Sequence, residues 1–211
     1  GQVAGPSLLL TNKEEQTLID YIKNDLNSQK DKIIHISIRC LTNLINWRKN
    51  KNYKKFSSAN KKLSGGILFE LSHEIDYLRW IFGDVLEVFA TVKNTKKLRL
   101  DIEDIAKIFL RLKSGVTADI NLSLVNDYEE RKCEVITKKH NYSWNLLKDE
   151  IKKDNRFIFR NNKYDINHTQ VEQLKNFFNT IKKKDNPMVD LNDGIKTLKI
   201  LLAIKKSSKM K

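Results

Sequence analysis

The stretch Gly65-Gly66-Ile67-Leu68-Phe69-Glu70-Leu71-Ser72-His73-Glu74-Ile75-Asp76-Tyr77-Leu78-Arg79-Trp80-Ile81-Phe82-Gly83 reads as one amphipathic helix that opens after a glycine pair and stops at a glycine. Ile67, Leu71, Ile75, Leu78 and Phe82 recur at the 3.6-residue period of a buried stripe. The opposite side carries Glu70, His73, Asp76 and Tyr77, with Phe69 and Trp80 among them. His73 lies one turn after Glu70 and one turn before Asp76, so an imidazole is expected within reach of two carboxylates. A face that mixes these groups with large aromatics is expected to meet something other than water.

Outward from this helix the pattern changes period. Upstream, Ile34, Ile36, Ile38 and Cys40 alternate with His35, Ser37 and Arg39, which predicts a half-buried strand over 33–41. Residues 42–64 are polar and irregular, a long loop of the kind that is usually functional or disordered. Downstream, strands are expected near 85–92, 105–112, 116–125, 132–137, 142–147, 157–160 and, weakly, 163–166. Thr11-Asn12-Lys13-Glu14 is a capping box that opens a helix with Leu18, Ile19, Ile22 and Leu26 on its apolar side. Gly1 to Leu10 show no period. Two helices close the chain, about 169–182 with the stripe Val171, Leu174, Phe177, Phe178 and Ile181, and about 191–205 with Ile195, Leu198, Leu201, Leu202 and Ile204. Strands joined by short connections, with helices before, between and after, predict one α+β domain over 1–211. Its sheet should be open and mostly antiparallel, with helices on one face.

The net charge of +14 is a second signal. From Lys32 to Phe69 there is no acidic residue, and Arg48, Lys49, Lys51, Lys54, Lys55, Lys61 and Lys62 are interleaved with Trp47, Tyr53 and Phe56. An RNA-binding loop has this composition. So has a loop that closes over an anionic ligand, and so has a solvated lysine-rich loop.

Other classes lose support. No apolar run approaches the length of a membrane span, and no signal-peptide pattern opens the chain. Cys40 and Cys133 stand alone, without CxxC spacing, and read as reduced thiols of a cytoplasmic protein. His35, His73, His140 and His168 lie far apart in sequence, so no metal site is expected. The seven glycines cannot form a GxGxxG turn between a strand and a helix, and neither GxxxxGK[ST] nor GxSxG occurs.

The run Gly65-Gly66…Glu70…His73…Asp76…Arg79-Trp80 resembles the GG…D/E…HxxDxxRW signature of the Gfo/Idh/MocA oxidoreductases. Asn46-Trp47-Arg48 with Tyr53, Ser57 and Ser58 resembles a loop of members that act on nucleotide sugars. Glu103-Asp104 before Leu112-Lys113-Ser114-Gly115 resembles the family's E-D…F…G hairpin. Gln173 to Phe178, Pro187, Asp193-Gly194 and Ser207-Ser208 resemble its closing helices. About residues 33–208 thus resemble, in order, the family's second domain. Glu70 stands three residues before the His where many members use four, and Ser64 replaces the usual third glycine.

That resemblance implies a substrate-binding half without the family's Rossmann domain. It implies NAD or NADP in the complete enzyme and none bound by this chain alone. His73 and Glu70 would be catalytic, with Glu70 or Asp76 orienting the ring, and Trp47, Arg48, Tyr53, Lys61 and Asp76 would face the sugar or nucleotide-sugar substrate. His73 suits proton exchange because an imidazole titrates near pH 6.5. A homo-oligomer through the sheet face is implied, with no membrane partner and nucleic acid disfavoured. The competing expectations are a basic nucleic-acid-binding module built on the Trp47–Lys62 loop and a non-catalytic oligomerisation domain.

Overall fold

A computed structural model describes residues 32–47, 51–160, 166–182 and 190–210. The capping box at 11–14 and its helix, the first ten residues, Arg48 and most of the weak strand at 163–166 lie outside the described residues. The alternation at 33–41 becomes β1, Ile33–Asn43. It is followed by β2 Val85–Lys93, β3 Ile105–Leu112, β4 Thr117–Ser123, β5 Val125–Thr137, β6 Asn141–Asn145, β7 Glu150–Lys153 and β8 Arg156–Arg160. They form one sheet in the order β2-β3-β4-β1-β5-β6-β7-β8. Every pairing is antiparallel except β1 with β4, where Ile36 stands beside Ala118 and Ile38 beside Ile120.

Because side chains alternate along each strand, one face collects the apolar set. Ile36, Ile38, Ala106, Ile108, Leu110, Ala118, Ile120, Leu122, Cys133, Val135, Tyr142, Trp144 and Ile151 are all buried there. The helices are α1 Ile67–Glu70, α2 Ser72–Phe82, α3 Ile166–Ile181 and α4 Leu191–Lys209, of which α1, α2 and α4 contribute buried residues to this core. α4 lies along β2 and against α2. The other face is polar, with His35, Ser37, Arg39, Asp119, Asn121, Lys132, Glu134 and Ser143 on it; Phe89 and Phe109 stand directly opposite each other there and are 61% and 46% exposed.

Several expectations change. The helix at 67–82 is two, since Leu71 adopts φ −107°, ψ 26° between α1 and α2. Tyr77, expected on the outer side, is 1% exposed. The strand expected at 132–137 starts at Val125, and β7 was not expected at all. The described parts of the loop, 44–47 and 51–63, hold 3₁₀ turns at 44–46, 53–55, 57–59 and 61–63 rather than irregular coil. Asn43, Asn52 and Asn60 start three of them by accepting the amides of Ile45, Lys54 and Lys62, so part of the asparagine content is turn chemistry. The stripe of α3 is on the surface among the described residues, with Val171 to Ile181 between 49% and 59% exposed. Of the α4 stripe, only Leu201 and Ile204 are buried.

Candidate functional site

The glycine pair places the helix against the preceding turns. A Cβ on Gly65 would stand 2.5 Å from the Ser58 carbonyl oxygen and 2.6 Å from that of Ser57, so only glycine allows this approach. Gly66 takes φ 117° and caps α1, whose first amide, Ile67, donates to the Glu103 carbonyl at 2.9 Å. Asp104 is fully buried and accepts from the Thr95 amide and hydroxyl, both at 2.8 Å. Glu103-Asp104 therefore fixes both the 94–104 turn and the origin of α1, the short helix just before the one that carries His73.

His73 sits in the first turn of α2 with 14% of its side chain exposed, neither sealed in nor free in bulk water. The carboxylate at its ring is Glu74, the next residue, whose Oε1 lies 3.0 Å from His73 Nε2. Glu74 is fully buried. Arg131, from β5, donates Nε to the same Oε1 at 2.6 Å. Burial pushes the Glu74 carboxyl up, but Arg131 and His73 together outweigh it and hold it down at about 2. The Arg131 guanidinium is held charged by the same carboxylate against its own burial. Around this pair stand Cys40, whose thiol burial pushes up, and the buried Tyr77 ring, edge-on to Trp144 at 5.9 Å.

Cys40, His73 and Glu74 bring their donor atoms within 4.8 Å of one another, the spacing of a cation site. Arg131 already donates to Glu74 Oε1, and burial pushes the Cys40 thiol up, so the carboxylate has a cation beside it and the thiol resists ionisation.

The other expected site residues separate. Glu70 ends α1 and is half-buried. Asp76 is 2% exposed and turns to α4, where it accepts the Thr197 hydroxyl and lies 3.5 Å from Arg79 Nη2. Burial raises its carboxyl, against the pull of Thr197 and Arg79. Arg79 in turn donates to Asp193 at 2.8 Å, and Asp193 closes the capping box of α4 with Asp190. The D-x-x-R pair thus fastens α2 to α4. Trp47 donates Nε1 to Thr42 at 2.9 Å, Tyr53 donates its hydroxyl to the Leu98 carbonyl at 3.0 Å, and Lys61 lies 4.0 Å from Asp101. Phe56 is buried. Trp47 and Tyr53 are half-buried and hydrogen-bonded by their polar atoms, while Lys54 and Lys55 are exposed.

Glu74 and Arg131 were missed from the sequence. The i,i+1 neighbours of a helix do not share a face, so His73 was paired with residues three away. The signal was still present. Glu74 stands three residues after Leu71 and four before Leu78 of the apolar stripe, beside Ile75, and Arg131 takes the inward slot before Cys133 and Val135. An acid and a base at two inward positions mark a buried pair.

A polar trough of about 640 Å³ lies elsewhere, against β5 to β8, where Lys132, Glu134, Ser143, Asn145, Glu150 and Lys152 line the open face of the sheet. It does not include His73.

Residues 32–143 match the family model described as GFO/IDH/MocA C-terminal domain. No curated protein matches the sequence. Among solved structures, the WlbA dehydrogenase from Bordetella pertussis in complex with NADH and UDP-GlcNAcA shares the fold with a TM-score of 0.71 at 19% identity, over 94% of this chain and 59% of that one. A levoglucosan dehydrogenase complex with NADH and levoglucosan gives 0.80 at 15%, over 96% and 63%. The UDP-N-acetylglucosamine 3-dehydrogenase GnnA from Acidithiobacillus ferrooxidans gives 0.70 at 14%, over 95% and 59%. The chain thus spans about three fifths of the length of these neighbours. At such identities the likeness is one of fold.

Proposed function

The chain belongs to the GFO/IDH/MocA C-terminal domain family, and from that membership we propose that it forms the substrate wall of a nicotinamide-dependent dehydrogenase acting on a hydroxyl-bearing carbon of a sugar or nucleotide sugar. The observation that supports this reading is the setting of His73. A partly exposed imidazole stands at the start of α2, over a buried carboxylate–guanidinium pair, directly after α1, whose origin is fixed by two glycines and Glu103. His73 takes or returns the proton of the reacting hydroxyl, with Glu70 as the second carboxylate of the site. Trp47, Arg48, Tyr53 and Lys61 bring the basic loop to the sugar or its phosphates. Asp76 acts on the substrate only through the helix that it braces.

The described residues do not fit a dinucleotide. Gly66 follows a 3₁₀ turn, Gly83 ends a helix, Gly115 lies in a hairpin and Gly194 inside α4, so none stands in a strand–turn–helix cradle. NAD or NADP would be held by a further domain and would supply hydride acceptance when bound. The open face of the sheet, with Phe89 and Phe109 at its surface, is assigned to contact between copies of the chain. No helix among the described residues is long and apolar enough to cross a membrane. The buried free thiols Cys40 and Cys133 fit a reducing compartment such as the cytoplasm.

Calorimetric titration of the 211-residue chain with UDP-GlcNAcA, with levoglucosan and with NAD tests the assignment. The expected result is heat from a sugar ligand, reduced in Lys61→Ala, and none from NAD. Tight binding of NAD, or salt-sensitive retention of RNA with no sugar binding, overturns it.

A further inference from the structure

We propose that Glu74 and Arg131 are a positioning pair that fixes the proton of His73 on Nε2 and leaves Nδ1 as the nitrogen that exchanges protons with the substrate. The inference deepens the reading above and rests on it for the identity of the reacting hydroxyl; the tautomer itself does not depend on that reading. Glu74 Oε1 lies 3.0 Å from Nε2, hydrogen-bonding distance for an imidazole N–H and a carboxylate. The carboxylate is fully buried, and the same Oε1 also accepts from Arg131 Nε at 2.6 Å. An anion neutralised by a guanidinium in an apolar setting stays an anion, and an anion accepts but cannot donate. Nε2 must then carry hydrogen, whatever the charge of the ring.

Each element contributes a fixed part. β5 holds Arg131 opposite Cys40 of β1 in the sheet register, so the cation comes from the rigid centre of the sheet rather than from a loop. α2 supplies both the ring and its anion from adjacent residues, and side chains one residue apart on a helix meet only when both are steered. Here the steering group is the guanidinium below them. Proton transfer from a substrate hydroxyl to Nδ1 gives an imidazolium whose Nε2–H already points at Glu74, so the charge that develops is met without rearrangement. Neither Glu74 nor Arg131 touches the substrate in this scheme.

The test is nuclear magnetic resonance on the 211-residue chain labelled with [15N]histidine, with His73→Asn to assign the ring. Long-range proton–nitrogen spectra read the tautomer, and solvent-exchange transfer reads the lifetime of the ring N–H. In the wild type the Nε2 proton of His73 is expected to be visible at neutral pH. In Glu74→Gln it should exchange at least about tenfold faster, the effect of losing one charge-assisted hydrogen bond. Arg131→Lys, which keeps the cation without the fork, should fall between the two. A hydrogen on Nδ1, or equal exchange in wild type and Glu74→Gln, overturns the proposal. Should Glu74→Gln fail to fold, the tautomer in the wild type and the exchange in Arg131→Lys decide alone. Loss of sugar binding with the Nε2 signal intact would sink the substrate reading and leave the positioning pair standing.

Discussion

The Val92 amide donates to the Ser208 hydroxyl at 2.8 Å, and two residues earlier the Ala90 amide donates to Ser207 at 3.1 Å. β2 is the first strand of the sheet, and its outer amides have no strand neighbour among the described residues. Adjacent serines on α4 take the place of that strand. An edge is thereby closed by side chains, which blunts its capacity to pair with another chain.

Replacing both serines by alanine is expected to cost about 1–3 kcal/mol, the range for leaving partly buried backbone donors unmet. Urea unfolding reads the loss. Hydrogen exchange should quicken at Ala90 and Val92 while the amides of β1 stay protected. Equal acceleration across the sheet would refute a local role.

The Glu74–Arg131 pair carries an asymmetric cost. Arg131→Met alone leaves a buried carboxylate without its cation and should destabilise by about 3–5 kcal/mol. The double variant Glu74→Leu with Arg131→Met removes both charges and should recover most of that loss. A double-mutant cycle in chemical denaturant measures the coupling. Additive losses would show that the two groups do not depend on each other.

Acid should find the same pair. The Glu74 carboxyl sits at about 2 in the fold against an ordinary value of 4.5, so its contribution is complete above pH 4.5 and fades as the pH falls toward 2. The contribution is about 3 kcal/mol on this difference. Asp76, raised by burial, acts in the opposite sense, since protonation relieves its folded state first. Stability measured between pH 5 and pH 2.5 should therefore drop more steeply in wild type than in Glu74→Gln. Parallel curves would contradict the assignment.

Two neighbouring positions predict opposite signs. Ser64 adopts φ 62°, a left-handed conformation at the end of the last 3₁₀ turn, so Ser64→Gly should stabilise by about 0.5–1 kcal/mol. Gly65→Ala drives a methyl into the Ser57 and Ser58 carbonyls and should cost about 2–4 kcal/mol. Thermal unfolding of the two variants checks both.

The sheet was readable where one side of a strand faces the core. In 105–112 and 117–123 the alternation of apolar and polar residues marks the strand ends to within a residue or two. It was hidden in the first half of β5, where Tyr128 to Lys132 carry charge on both sides. Arg39 answers those charges across the sheet, 3.5 Å from Glu130 and 2.8 Å from Glu134. The break at Leu71 was hidden for another reason, since neither glycine nor proline marks it. His73 was readable as a residue of interest, and the match to the family model agrees with the landmarks around it. The carboxylate that lies at its ring was not, because Arg131 is 57 residues away along the chain and meets Glu74 from a strand whose pattern is obscured.

β1 lies at the centre of the sheet, yet its neighbours come late in the chain: His35 meets Thr117 across 82 residues and Arg39 meets Glu134 across 95. A ribosome therefore delivers β1 long before anything can pair with it. The meander from β2 to β4 can close first on local contacts, and β1 gains one neighbour only with β4 and the other only when β5 has emerged. Such delayed, long-range capture predicts slow maturation, with Ile36 and Ile38 open to chaperones in the interval.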